Sequence, residues 1–493
     1  MTADQLAVRC ERLTRELRDN NVRLLALYAD NSVDWLVVDI ACQQAGICLV
    51  PLPAFFSDGQ LRHIFNSTPI DAIIADNPSR LAGLSGLSGQ PAIRIQAQRP
   101  SCVDGFTLLR LREMNPGAVL PEHTGKITFT SGSTGTPKGV CLSNEQLVTQ
   151  AWALARAVGL NQPRHLCLLP LSTLLENVAG NYTPLLAGGE VFLPSLGEIG
   201  FAGSSAINPQ KLCAVIRRVE PNSIILTPQL LVVLVGAAHA GWQAPRSLMF
   251  VAVGGSRVSA RLLRQAHAAG IPAFEGYGLS ECASVVSLNT PAAQRSGSCG
   301  KPLPHLGIDI RDGEIVVTGN AMQGYLGEPA SWGANAVYTG DIGYLDNEGF
   351  LHISGRKKNV LISSYGRNIN PEWVESEILA NPAIAECVVF GDGKPYCTAL
   401  ISPRRPDERA EIIQEVIDAA NSELPDYAQV TRWTGLLQPL ATQKNLTTNN
   451  GRPRRQAIYA RYRHQIETMY SAPQLEESKQ RELSDANQTE EGQ

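Results

Sequence analysis

Thr130-Ser131-Gly132-Ser133-Thr134-Gly135-Thr136-Pro137-Lys138-Gly139 places three glycines, five hydroxyl side chains and one lysine in ten positions. It follows Lys126-Ile127-Thr128-Phe129, which alternates like the end of a strand, and runs straight into the apolar Val140-Cys141-Leu142. Such a loop cannot pack a core. Its glycines let the backbone turn tightly and bring N–H groups against an anion, the hydroxyls add donors, and the lysine adds a point charge. A polyphosphate is the expected guest. The run is not a Walker-type loop, which ends Gly-Lys-Ser/Thr and opens a helix; here Lys138 stands between Pro137 and Gly139.

On the N-terminal side of this loop, strands and helices alternate. A helix ending near Leu17 precedes a strand at Val22-Arg23-Leu24-Leu25-Ala26-Leu27-Tyr28; Asn31-Ser32 caps a helix over 33–45; Ile47-Cys48-Leu49-Val50-Pro51-Leu52 is a buried strand. Helix 58–67 and strand 72–75 repeat the pattern, and further strand–helix units run from 165 to 253, including one helix over 174–187. This alternation predicts an α/β fold with parallel, helix-covered sheets. After about residue 300 the character changes to short antiparallel strands, 307–318 and 350–353, then to the basic joint Gly355-Arg356-Lys357-Lys358-Asn359. Beyond it a helix opens with Pro371 in its first turn. The expected organisation is a large domain over 1–355 with a small β subdomain, a mobile α+β lid over 356–470, and a disordered Gln/Glu/Ser/Asn-rich tail from 471 to 493.

Bulk properties exclude several classes. At 493 residues the chain needs more than one core. A net charge of −4 gives no electrostatic footprint for nucleic acid or an anionic membrane. Eleven scattered cysteines without a CxxC pair indicate neither a zinc knuckle nor a disulfide framework, and suit a reducing cytoplasm. No apolar run reaches the roughly 18–20 residues that span a bilayer.

Four further motifs stand in order: Glu275-Gly276-Tyr277-Gly278-Leu279-Ser280-Glu281; Gly313-Glu314-Ile315-Val316-Val317-Thr318-Gly319 with Gly324-Tyr325; Tyr338-Thr339-Gly340-Asp341-Ile342-Gly343; and Gly355-Arg356. With the opening loop they resemble the adenylate-forming superfamily of acyl-CoA synthetases, luciferases and peptide-synthetase adenylation domains, and the fatty acyl-CoA ligases most of all. The resemblance is collinear over nearly the whole chain. It implies ATP, Mg²⁺ and a carboxylic acid as the reacting partners. Thr130, Ser131, Gly132, Ser133, Thr134, Gly135 and Lys138 would cradle the phosphates. Glu281 would hold the metal and Ser280 would reach the α-phosphate. Tyr277, beside Gly278, would stack on adenine against Gly254-Gly255-Ser256. Asp341 would accept the ribose hydroxyls, since a carboxylate matches a vicinal diol, and Arg356 would assist. Lys358 falls at the family's hinge, and Gly366 resembles the glycine lining its pantetheine tunnel.

Two departures matter. The family's lid lysine, in a Gly-Lys-x-x-Arg context, is replaced by Arg452 in Gly451-Arg452-Pro453-Arg454-Arg455. Arg452 serves in its place, Lys444 swings in from upstream, or the first half-reaction is crippled; a guanidinium fork is not a compact ammonium. Thr173 also stands where many members carry a histidine gate, in Pro170-Leu171-Ser172-Thr173-Leu174-Leu175-Glu176. The expected acyl-lining segments, 174–180, 226–232 and 285–288, are aliphatic. A fatty or other apolar acid is therefore expected, activated to an acyl-adenylate and passed to a thiol, coenzyme A. The competing expectations are loading of an acyl or peptidyl carrier protein's phosphopantetheine and a non-catalytic nucleotide-binding homologue.

Overall fold

The computed structural model describes residues 1–84, 95–112, 119–131, 137–202, 206–443, 445–448 and 452–471. It divides into two units. The first comprises Met1–Lys358 with Thr448–Arg452, and the second comprises Asn359–Thr447 with the residues from Pro453 onward.

In the first unit every residue of the strand Leu24–Tyr28 is buried, as expected of a parallel strand covered on both faces. It pairs in parallel with Cys48–Pro51 and Ala72–Ala75. The intervening helix, Val33–Ala45, starts where the Ser32 hydroxyl accepts the Trp35 N–H, and stops at Gly46, which takes a φ of 68°. The sheet grows to eight strands in the order Gly324–Tyr325, Pro137–Ser143, Thr124–Ser131, Cys48–Pro51, Leu24–Tyr28, Ala72–Ala75, Thr107–Leu111 and Ile95–Pro100. Its parallel centre carries antiparallel flanks. Thr124–Ser131 and Pro137–Ser143 form a hairpin, because a connection as short as 132–136 closes only an antiparallel pair.

A second, seven-stranded sheet runs Lys301–Pro302, Ser284–Leu288, Ala273–Leu279, Phe250–Val253, Ser223–Leu226, Arg164–Leu166, Glu190–Phe192. A four-stranded antiparallel sheet, Gly307–Arg311 to Leu351–Arg356, makes the small β region. The segment expected as one helix over 174–187 is instead a π-helix, Glu176–Tyr182, followed by a single α-turn, Thr183–Leu186. Its five-residue spacing has local causes. The Asn181 amide donates to the Glu176 carbonyl and the Thr183 hydroxyl to the Val178 carbonyl, and Pro184 has no N–H to offer Gly180.

One buried ion pair ties this segment to the strand that feeds the loop. Lys126 Nζ, 1% exposed, lies 2.8 Å from Asp39 Oδ1, fully buried on the helix Val33–Ala45. Lys126 also donates to the side-chain amide oxygen of Asn177, Oδ1, and, at 2.9 Å, to the Tyr182 hydroxyl. Tyr182 and Asn177 in turn donate to Asp39 Oδ2 at 2.6 and 2.7 Å. Charge taken out of water needs this density of partners.

In the second unit the strand Cys397–Pro403 pairs antiparallel with Ile384–Phe390 and parallel with Val430–Gly435. Helices Pro371–Leu379, Ala410–Asn421 and Arg455–Ser471 accompany this sheet. The Asn370 side chain caps the first of them by accepting the Glu372 N–H at 3.0 Å, and Arg455 is paired at 2.7 Å with the buried Glu375. Residues 472–493, expected as a tail, lie outside the described residues. Among the described residues no helix is long and apolar enough to cross a membrane.

Candidate active site

The hairpin register pairs Thr130 with Lys138 and Ser131 with Pro137. Gly132, Ser133, Thr134 and Gly135 lie outside the described residues, as does the Ser131 side chain. Lys138 stands over the Tyr325 ring, 4.7 Å from its centroid, and pairs with Glu328 at 3.0 Å. Both charges of that pair are about half exposed, so it holds geometry more than it stabilises. The Tyr325 hydroxyl donates to Glu281 at 3.0 Å. Lys138 and Glu281, 143 positions apart in the chain, are thus brought to one tyrosine.

Glu281 follows Ser280 in a short 3-10 turn at the end of the strand Ala273–Leu279. Two non-glycine residues with positive φ come next, Ala283 at 57° and Ser284 at 108°. This strained turn swings the chain back into antiparallel pairing, and strain of that kind is costly unless the surroundings enforce it. The returning strand also explains Gly278: a Cβ there would lie 1.8 Å from the Ser284 carbonyl oxygen. No group of three potential ligands for a metal occurs among the described residues. A partly exposed single carboxylate fits Mg²⁺ that arrives on phosphate, since that ion keeps most of its shell from water and substrate oxygens.

On the same strand, Tyr277 donates its hydroxyl to Asp341 at 2.6 Å. Asp341, nearly buried, is paired with Arg356 Nε at 2.8 Å, and Arg356 also donates to the Thr339 carbonyl at 3.1 Å. Burial first, and the Asp341 charge second, push the Tyr277 hydroxyl far above its ordinary pKa. Gly255 adopts a φ of 88° with open space where a Cβ would be, next to the exposed Ser256. Gly254 faces the Gly276 carbonyl. Arg452, in the same unit, donates to the Gly255 carbonyl at 2.7 Å. Lys444 lies outside the described residues. Lys358 is exposed at the last position before the second unit, and Gly366, with a φ of 73°, is in a turn of that second unit.

Glu275 was missed from the sequence as a group with its own chemistry. It is buried, accepts the Val258 N–H at 3.4 Å, and burial pushes its carboxyl up to about 7 despite the opposing Arg257 charge. The folded state therefore holds this proton more tightly than the unfolded chain, and its stabilisation is complete below about pH 4.5 and lost as pH rises through about 7. Stability should fall by on the order of 3 kcal/mol across that window. In Glu275→Gln, denaturant midpoints measured between pH 5 and pH 8 should show a flatter slope.

Behind the strand lies an apolar cavity, walled among others by Leu154, Val158, Leu175, Phe250, Val285 and Leu288. Of the expected lining segments, 174–180 and 285–288 contribute and 226–232 does not. Leu175, not Thr173, lines the wall, and its side chain reaches 4.0 Å from the Cβ position of Gly254. Thr173 instead bonds its own turn, donating to the Pro170 carbonyl at 2.6 Å.

Comparison with known proteins gives the chain's family. A family model described as AMP-binding enzyme matches residues 1–326, and one described as AMP-binding enzyme C-terminal domain matches 358–474. The chain is 27% identical over 453 residues to a long-chain-fatty-acid–CoA ligase of Mycobacterium bovis, covering 77% of this chain and 72% of that one. It is 33% identical over 288 residues to a 2-succinylbenzoate–CoA ligase of Bacillus subtilis, covering 55% and 56%. The solved o-succinylbenzoate CoA synthetase of Bacillus subtilis, in complex with its acyl-adenylate intermediate, shares the fold with a TM-score of 0.71 at 24% identity over 93% of each chain. The chain belongs to the family of AMP-binding enzymes and is an AMP-forming acid–thiol ligase.

Proposed function

We propose that this ligase activates an acid with an apolar body to its acyl-adenylate, releasing pyrophosphate, and passes the acyl group to coenzyme A. The observation that carries this is the strand Ala273–Leu279, which presents Tyr277 to Asp341 and Arg356 and leads to Glu281, while its partner strand supplies Val285 and Leu288 to the cavity. A nucleotide site and an apolar site therefore share one hairpin.

Charge develops on phosphate oxygens when a carboxylate attacks the α-phosphate, so positioned donors matter more than covalent chemistry. In this proposal the loop 130–135 and Lys138 bind the outer phosphates, Glu281 holds Mg²⁺, Ser280 reaches the α-phosphate, and Gly254, Gly255, Ser256, Tyr277 and Gly278 frame the adenine. Asp341 takes the ribose hydroxyls with Arg356 as its anchor. Lys358 serves as the hinge, and Gly366 as the glycine beside the incoming thiol.

Pyrophosphate release across a panel of fatty and aryl acids tests the first step, and coenzyme A against a holo-carrier protein tests the acceptor. No pyrophosphate with any acid, despite ATP binding, sinks the proposal; faster transfer to the carrier corrects the acceptor. Hydrogen bonds to a charged group contribute about 1.5–3 kcal/mol. Asp341→Asn should therefore raise KM for ATP roughly 10- to 100-fold, with KM for the acid much less affected, as steady-state titration of each substrate would show.

A further inference from the structure

The cavity is not apolar throughout. His165 and Ser223 both line it, and both are buried parts of a built polar chain. His165 Nδ1 lies 2.9 Å from Ser223 Oγ, and His165 Nε2 lies 3.2 Å from Oε1 of the fully buried Glu176. The space for this chain is made by Gly180, where a Cβ would lie 2.6 Å from Glu176 Oε1 and 2.9 Å from His165 Nε2. Its depth follows from the strand Ser223–Leu226. Leu226 accepts the Gly254 N–H at 3.1 Å at the nucleotide end, and Ser223 is three residues earlier, about 10 Å further in.

Hydrogen-bond polarity runs one way along the chain. With Nε2 donating to the Glu176 carboxylate, an imidazole that carries one N–H has only an acceptor left at Nδ1. Ser223 gives its proton to that nitrogen, and the lone pairs of Ser223 Oγ remain to accept from an occupant. Resting on the ligase proposal above, we infer that the inner end of the cavity recognises a hydroxyl at the far end of the acid: the substrate class is an acid with an apolar body and a distal hydroxyl, aliphatic or phenolic. A site built to accept a hydrogen bond discriminates against the analogue lacking the donor more strongly than an apolar wall discriminates by one methylene.

The test uses the full chain and matched pairs, decanoate against ω-hydroxydecanoate and phenylpropanoate against p-hydroxyphenylpropanoate, followed by pyrophosphate release and by calorimetric binding. In at least one pair the hydroxylated acid should be favoured about tenfold or more in kcat/KM and in affinity, a difference of about 1.4 kcal/mol. Ser223→Ala should bring that ratio to near one, and Ser223→Thr, which keeps the hydroxyl, should retain it; a merely structural serine would leave the ratio alone. Pyrophosphate release with no preference in either pair for wild type, a comparison that needs no variant to fold, overturns the inference and leaves the ligase proposal standing. So does a preference that Ser223→Ala does not alter. Tight binding of a hydroxylated acid with no pyrophosphate from any acid keeps the recognition site and overturns the ligase proposal.

Discussion

Arg452→Ala is expected to lower pyrophosphate release about 10²- to 10³-fold, the cost of removing one positioned donor from a site of developing charge, while thioester formation from supplied acyl-adenylate persists. The sequence left three possibilities at this position, because arginine stands where the family carries lysine. The guanidinium donates to the Gly255 carbonyl at 2.7 Å, which puts a permanent cation beside the segment proposed to frame the nucleotide. An arginine fork presents several donors at once, where a lysine presents a compact point charge. Arg452→Lys should fall between wild type and alanine, keeping the charge and losing the fork. ATP–pyrophosphate exchange measures the first step, and coenzyme A acylation from acyl-adenylate measures the second. If Lys444→Ala abolishes exchange and Arg452→Ala does not, the assignment of Arg452 is wrong.

The second large effect is on folding. Asp39→Ala leaves Lys126, 1% exposed, as a buried cation without its counter-charge, and breaking such a pair costs about 3–5 kcal/mol. Tyr182 and Asn177 lose an acceptor at the same time. Trp35, buried on the same helix as Asp39, is a natural fluorescent reporter, and the urea midpoint of its transition should drop accordingly. The double variant Asp39→Leu with Lys126→Met should be much less damaged than the sum of the two single changes, because removing both charges removes the desolvation penalty with the attraction. Additive losses would show that the two residues do not act as a pair.

The glycine-and-hydroxyl loop, the Tyr277 and Glu281 motif and Asp341 stand out in the sequence because their chemistry is concentrated in short runs that no core needs. The α/β layering was legible too, since period and capping are local: Ser32 caps the helix Val33–Ala45 in sequence and in structure alike. What could not be read is pairing at a distance. Lys126 looks like the polar partner in an alternating strand, yet its counter-ion comes from a helix 87 positions earlier. Tyr277 suggested a stacking platform, and only the fold shows its hydroxyl meeting Asp341, 64 positions away. The π-helix was hidden because Glu176 to Leu186 has an unremarkable helical composition. Only the cross-turn bonds of Asn181 and Thr183, with the missing donor of Pro184, widen it. Glu176 and His165 gave no signal as a pair, for their meeting depends on the absence of a side chain at Gly180.

That widened turn has an evolutionary cost. Its adjacent residues serve different masters, Glu176 the histidine at the inner end of the cavity and Asn177 the lysine on the loop-bearing strand. Rewriting the innermost polar groups would disturb the buried pair that holds the strand Thr124–Ser131. Lineages that diversify, and engineers who imitate them, are better served by exchanging Val158 or Phe250 on the walls, where bulk can be traded without disturbing anything that carries charge.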